Sequence, residues 1–324
     1  MDTLKIAIAG IGTVGSGLLD IIIENKSFIE KKINKKLLIT AIASRKKIKI
    51  KKKLTKSTII FNDAKKILDF DNYDVLVELI GGEDGVSLDI ILDAIKKNKN
   101  VVTANKALIA KHGTELLKQC EKGKCKIGFE AAVAGGIPII KIIKEFLISN
   151  KIKKVFGILN GTSNFILSKM QETNKDFSTI LKQAQNLGFA ESDPTFDING
   201  MDTAHKTSIL SMVSFGNIMD LESIFVEGIE GIQIDDIKFA DTLGYKIKLL
   251  GITQIKNCQV SQFVYPCLIN KLSTISNVSY ENNGVVVESD FSESLFFQGQ
   301  GAGSYPTATS VLSDIIDISK ENCL

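Results

Sequence analysis

Apolar positions along this chain follow two rhythms. The run Leu4-Lys-Ile-Ala-Ile-Ala9 is almost continuously apolar and predicts a strand buried on both faces; beyond Gly15, Leu18, Leu19, Ile22 and Ile23 recur at helical spacing. Further apolar runs over Leu37–Ala43, Val75–Ile80 and Val101–Thr103 predict three more strands, with helical patterns near 84–97 and 106–121. Strands alternating with helices predict a Rossmann-type, doubly wound parallel sheet of α/β class over residues 1–130.

From Pro138 the rhythm changes. Ile139 to Leu147 reads as a helix, Lys154 to Leu159 as a strand, and residues 176–187 and 200–214 as long helices. Gln259–Tyr265 and Gly284–Glu288 read as strands of a sheet with one exposed face. This makes residues 131–300 a second, mixed α+β domain, and a last helix is expected over Thr307–Ser319 within a C-terminal segment, 301–324. No internal repeat is present.

Composition narrows the class. A length of 324 residues with 44% hydrophobic and 24% charged positions suits two domains with separate cores. A net charge of +3 gives neither the basic field of a nucleic-acid binder nor an acidic excess. Five scattered cysteines without a C-x-x-C pair suggest a reduced, cytoplasmic setting, and Cys323 is expected to be an exposed tail thiol, unreactive rather than a subunit cross-link. Four glycines interrupt the first apolar stretch, which argues against a signal peptide, and other apolar runs fall well short of the ~20 residues that span a bilayer. A cytoplasmic enzyme acting on a small molecule, with no nucleic-acid or membrane partner, is the expected class. Locally, Arg45 to Lys56 carries eight cations in twelve residues.

Gly10-Ile11-Gly12-Thr13-Val14-Gly15 has the G-x-G-x-x-G spacing between a strand and a helix. The first glycine permits the turn, the second lets a pyrophosphate approach the main chain, and the third allows close packing. The helix that follows offers main-chain N–H groups to phosphate. Where NAD enzymes place an acidic residue after the second strand, this chain has Ser44-Arg45-Lys46-Lys47. Cations there favour NADP over NAD, the alternative being that Arg45 belongs to a solvated basic loop. Lys106 follows Thr103-Ala-Asn105 at a strand end, where ligands of such folds gather. Asn160-Gly-Thr162-Ser163-Asn164 places amides and hydroxyls before a helix, and Gly188-Phe-Ala-Glu191-Ser-Asp193-Pro194 leads to Asp197, Asp202 and Lys206. Asp202 and Lys206 stand four apart on a helix, either a simple ion pair or a substrate carboxylate beside a proton-moving lysine. Read by themselves, Glu130 to Pro138 form a glycine-rich hinge and Gly301-Ala-Gly303 a turn. His112 and His205 read as structural.

In this order, Gly10–Gly15, Thr103–Lys106, Glu130-Ala-Ala-Val133-Ala-Gly-Gly-Ile-Pro138, Leu159–Asn164, Glu191–Pro194, Asn199–Lys206 and Gly301–Thr307 closely resemble the homoserine dehydrogenase family, across nearly the whole chain. The resemblance implies NAD(P)H-dependent interconversion of L-aspartate 4-semialdehyde and L-homoserine, in threonine, methionine and isoleucine biosynthesis. It implies Lys206 as proton donor, Lys106 as a second active-site lysine, and Glu191, Asp197 and Asp202 at the substrate. Gly188 and Gly303 are implied at the cofactor, beside the Gly10–Gly15 turn, Arg45 and Lys106. Glu130, Val133, Gly135 and Ile137 are implied to bind sodium or another monovalent cation, and the second domain to form a homodimer or higher homo-oligomer. The last helix is implied to return to the nucleotide domain. With the chain stopping at Leu324, a C-terminal ACT domain is not expected. Another semialdehyde or sugar oxidoreductase would leave the Glu191–Lys206 stretch unexplained, and a sensor without chemistry would leave both lysines unexplained.

Overall fold

The computed structural model describes residues 2–45, 54, 57–217 and 220–320. Most of the basic run, Lys46 and Lys47 included, and Cys323 lie outside the described residues. Two compact units result, Met1–Gly136 with Gly303–Leu324, and Ile137–Ala302. The units divide at 136/137 and 302/303, where 130/131 and 300/301 were expected; at the first of these the short turn Glu130–Ala132 packs on the last helix of the first unit.

The first unit carries β1 (Thr3–Ala9), α1 (Thr13–Glu24), α2 (Lys26–Ile33), β2 (Lys36–Ala43), β3 (Ile59–Phe61), β4 (Val75–Glu78), α3 (Val86–Lys96), β5 (Asn100–Thr103), α4 (Lys106–Gly123) and β6 (Ile127–Gly128). All its strands run parallel in the order β3-β2-β1-β4-β5-β6. This reversal of direction at β1 and β4 is the Rossmann order, and it opens a crevice beyond the strand C-termini. Ile6, Ile8, Ile42, Val75, Val77 and Val102 make a core without polar atoms, as expected of strands covered on both faces. β3 and β6 are too short for an apolar pattern to reveal.

In the second unit α5 (Ile139–Lys141) runs on into a π-helical turn, Ile142–Phe146, so the expected helix is present but widened. β7 (Ile152–Ile158), α6 (Gly161–Thr173), α7 (Phe177–Leu187), α8 (Thr195–Ile198), α9 (Met201–Phe215), β8 (Phe225–Val226), α10 (Ile234–Thr242), β9 (Tyr245–Lys256), β10 (Gln259–Asn270), β11 (Asn282–Ser289) and β12 (Ser294–Gln300) follow. The sheet order is β12-β11-β7-β9-β10-β8, antiparallel except between β10 and β8. α9 lies across β7, β9 and β10, where Gly251 leaves room for Thr203 and Thr207. The opposite face gathers Ile158, Leu250, Ile252 and Val286, rimmed by the half-buried Phe156, Phe263, Tyr265 and Phe296.

The last described element, α11 (Ser304–Ser319), packs on α1 within the first unit. Its start is tied to the glycine turn: Ser304 Oγ donates to the Thr13 carbonyl at 2.7 Å, and Gly17 of α1 has no space for a side chain against Ser304. Among the described residues no helix is long and apolar enough to cross a membrane.

Candidate active site

In the first unit the crevice is shaped by main chain. Gly10 has φ +102°, and a Cβ there would stand 2.5 Å from the Leu79 carbonyl oxygen, so β1 and the loop after β4 approach only because residue 10 is glycine. A Cβ on Gly15 would strike the Gly10 carbonyl, whereas at Gly12 nothing lies within 4 Å. The two flanking glycines therefore serve packing, and the middle one leaves the open approach that a pyrophosphate needs. Gly12 caps α1 without a side-chain hydrogen bond, and the first-turn N–H groups of Thr13, Val14 and Gly15 have no acceptor inside the helix.

A groove of about 970 Å³ runs from this turn past Ile11, the end of β2 and the loop after β4. Ser44 and Arg45 line it, as do Lys65 and Lys66 from the short turn after β3. These last two lysines were not legible from the sequence, because β3 carries no pattern that would bring its following turn to the groove. Asp63 also lines it, but its carboxylate accepts from the Lys65 N–H at 3.0 Å and caps that turn.

At the neighbouring strand ends a buried carboxylate sets the loops. Glu78, at the end of β4 and 0% exposed, accepts from the Ile80 and Gly81 N–H groups at 2.8 and 3.1 Å and from Thr103 Oγ1 at 2.6 Å. Thr103 Oγ1 in turn accepts from the Asn105 N–H at 3.0 Å. Asn105 caps α4 through Leu108 N and donates to the Gly82 carbonyl, and Lys106 is the first residue of that helix. Glu78 had no sequence signal beyond its place in an apolar strand.

The second unit builds its polar site from side chains. Asp202 and Lys206 pair along α9 at 2.7 Å, with side chains 3% and 12% exposed. Lys206 Nζ also donates to the Leu159 carbonyl at 2.7 Å, just beyond β7. Asn160 caps α6 through its Oδ1, and its Nδ2 donates to Asp202 at 2.8 Å and to Asp197 at 2.7 Å. Thr162 Oγ1 donates to Asp197 at 3.1 Å. Asp197 on α8 and Asp202 on α9 thus join Lys206 through Asn160, a residue of the amide- and hydroxyl-rich stretch whose part was unassigned. Asp202, expected at the substrate, has the carboxylate oxygen Oδ2 committed to both Lys206 and Asn160. Glu191 stands exposed on the loop after α7, with no side-chain bond into this network.

Other expected residues find structural explanations. Gly188 ends α7 in the left-handed conformation at φ +79°, which accounts for a glycine there. Gly303, φ +122°, is the N-cap of α11 and sits next to the Ser304–Thr13 contact. His112 pairs with Asp84 at 2.7 Å, and His205 stands edge-on to Phe196. Glu130 is 1% exposed, and its N–H donates to Asp314 at 2.8 Å. Ala134 and Gly135 turn through the left-handed region at φ 54° and 46°. The Gly135 carbonyl accepts from Ser310 Oγ at 2.6 Å, and the Ile137 carbonyl accepts from Ile139 N. Among the described residues no group of three or more His, Cys, Asp or Glu could hold a metal ion.

Two family models match the chain, "Homoserine dehydrogenase, NAD binding domain" over residues 10–130 and "Homoserine dehydrogenase" over 138–316. A homoserine dehydrogenase of Neisseria gonorrhoeae is 41% identical over 320 residues, covering 99% of this chain and 73% of that protein. The crystal structure of a homoserine dehydrogenase from Thiobacillus denitrificans superposes with a TM-score of 0.93 at 40% identity, over 98% of this chain and 74% of that one. A hyperthermophilic archaeal homoserine dehydrogenase in complex with NADPH superposes with a TM-score of 0.81 at 25% identity, over 98% and 97% of the two chains.

Proposed function

The chain belongs to the homoserine dehydrogenase family of NAD(P)-dependent oxidoreductases, and from that premise we propose how its residues divide the reduction of L-aspartate 4-semialdehyde to L-homoserine. The observation that carries the proposal is Lys206, held between the Asp202 carboxylate and the Leu159 carbonyl. The first unit's groove, at Gly12 and the start of α1, would hold the reduced nicotinamide cofactor, which when bound would supply hydride for the aldehyde carbon. Negative charge then builds on the carbonyl oxygen, and an ammonium fixed beside it stabilises that charge and delivers the proton. The Nζ–H bond breaks as the O–H bond forms, leaving Lys206 as a neutral amine to be reprotonated. Asp202 keeps Lys206 in its rotamer. The half-buried Asp197 and the exposed Glu191 complement the substrate ammonium, and Lys106 is the second lysine of the site.

For the cofactor we favour NADP. Gly12 gives the pyrophosphate its approach, the first turn of α1 supplies N–H donors, and Arg45 lines the groove beyond β2, where a 2′-phosphate needs a cation. Glu130 and the carbonyls of Val133, Gly135 and Ile137 are oxygen donors of the kind that suit sodium or another monovalent cation. A carbonyl with two lone pairs still has one to offer when a hydroxyl takes the other. The aromatic-rimmed face of the second sheet, turned away from α9, suits a homodimer interface.

The test is consumption of NADPH and of NADH by the purified protein with L-aspartate 4-semialdehyde. NADPH turnover with the higher kcat/KM is expected. Absence of turnover with either cofactor would overturn the proposed activity of this chain, and a preference for NADH would overturn the role given to Arg45.

A further inference from the structure

Lys206 shares its main-chain acceptor. The Leu159 carbonyl, which takes the Lys206 ammonium at 2.7 Å, also accepts from Asn283 Nδ2 at 2.9 Å, across 124 residues of sequence. Asn283 lies at the start of β11 and is 1% exposed. Its Oδ1 has no hydrogen-bond partner, a cost that a leucine or valine here would avoid. Gly301 presses on the same amide: a Cβ there would collide with Cγ, Oδ1 and Nδ2 of Asn283 at once. The amide is thus clamped between a glycine and a carbonyl, and it aims its one satisfied group at the carbonyl that Lys206 uses.

We propose that Asn283 is a positioning residue for the reaction: by occupying one lone pair of the Leu159 carbonyl it restrains that oxygen and fixes the direction from which the Lys206 ammonium is held. The proposal rests on the reading of Lys206 as proton donor. It also gives Gly301 a reason to be glycine, since any side chain would displace the amide. A carbonyl at the end of a strand, bonded only to a lysine, would leave the ammonium free to follow it. With the second donor in place the Nζ position is set from three sides, by Leu159, Asp202 and the packing of α9 on the sheet.

The test is a double-mutant cycle between Asn283 and Lys206 on the full chain. Asn283→Val should lower kcat by roughly 10- to 100-fold through misplacement of the ammonium, with KM for the aldehyde and the NADPH dissociation constant nearly unchanged. In the Lys206→Ala background the same substitution should have no further effect on turnover. Equal losses in both backgrounds, or a change confined to KM, would overturn the proposal. Should Asn283→Val fail to fold, Asn283→Ser, whose hydroxyl is too short to reach Leu159, is read in the same way. Wild-type turnover by Lys206→Ala would overturn the donor reading itself. A large loss in Lys206→Ala with unaltered kcat in the Asn283 variants would overturn only the role of Asn283.

Discussion

The two units solve the placement of reactive groups by opposite means. In the first, the groove is cut by backbone: Gly10 and Gly15 bring chain segments together, Gly12 stays open, and the donors are N–H groups of a helix start. In the second, the Asp202 carboxylate and the Leu159 carbonyl hold the Lys206 ammonium, and the side chains of Asn160, Asp197 and Asn283, from other elements, tie these two in place. A backbone site needs a local spacing of glycines and little else. A side-chain site needs the whole sheet to be folded before any of its members meet. The first unit is therefore expected to respond to added bulk, and the second to lost partners.

The largest expected effect is on the second unit. Asp202→Ala leaves the Lys206 ammonium, 12% exposed, without its carboxylate, and loss of one partner of a buried pair costs about 3–5 kcal/mol. Denaturant unfolding should show it, and a loss below about 1 kcal/mol would mean that the pair behaves as a surface contact.

Lys248 sharpens the contrast inside that unit. It is 2% exposed, and its Nζ meets only neutral acceptors, Asn164 Oδ1 at 2.9 Å, Val278 O at 2.8 Å and Ser168 Oγ at 3.2 Å. Burial, with a smaller contribution from Lys246, lowers its pKa to about 7. The unfolded chain holds that proton up to about pH 10.4, so between these values unfolding takes up a proton and stability rises with pH. Below pH 7 both states are protonated and the penalty is at its fullest. Relative to Lys248→Met, wild type should gain about 2–3 kcal/mol between pH 6 and pH 9. Parallel pH profiles for the two proteins would show that Lys248 titrates normally.

In the first unit, Gly15→Val sets a side chain against the Gly10 carbonyl. Overpacking of about 1–3 kcal/mol should weaken NADPH binding by roughly 10- to 100-fold while kcat at saturating cofactor is kept. An unchanged dissociation constant would show that the turn can open without cost. The smallest effect concerns Arg45→Asp, which removes a cation from the groove and adds a like charge to a 2′-phosphate. Titration should give about a tenfold loss of affinity for NADP and little change for NAD, whereas equal losses would return Arg45 to the solvated basic loop.

What could be read in the sequence follows the same division. Gly10, Gly12 and Gly15 carry their geometry in their spacing, and the apolar runs of β1, β2, β4 and β5 declare strands covered on both faces. β9 escaped notice because Lys246 and Lys248 interrupt its apolar pattern, and both of these lysines turn out to donate to carbonyls beyond the strand. The i, i+4 spacing announced the Asp202–Lys206 pair, but nothing local indicates that Leu159 and Asn283 complete it, since they join only when β11 pairs with β7. Glu78 was hidden for a related reason: two of its hydrogen bonds need the turn just after β4, and the third, from Thr103, forms only once the ends of β4 and β5 are side by side.

The central claim, that the ammonium of Lys206 delivers the proton while the cofactor is held by a separate, backbone-built groove, is tested most directly in one preparation of Lys206→Ala. With NADPH affinity measured by titration and turnover by cofactor consumption, the expected result is a fall in kcat of ~10²–10⁴ at an essentially unchanged NADPH dissociation constant. Near-normal turnover by a folded, cofactor-binding variant would contradict the claim, leaving Lys206 as the helical partner of Asp202 and making Lys106 the donor.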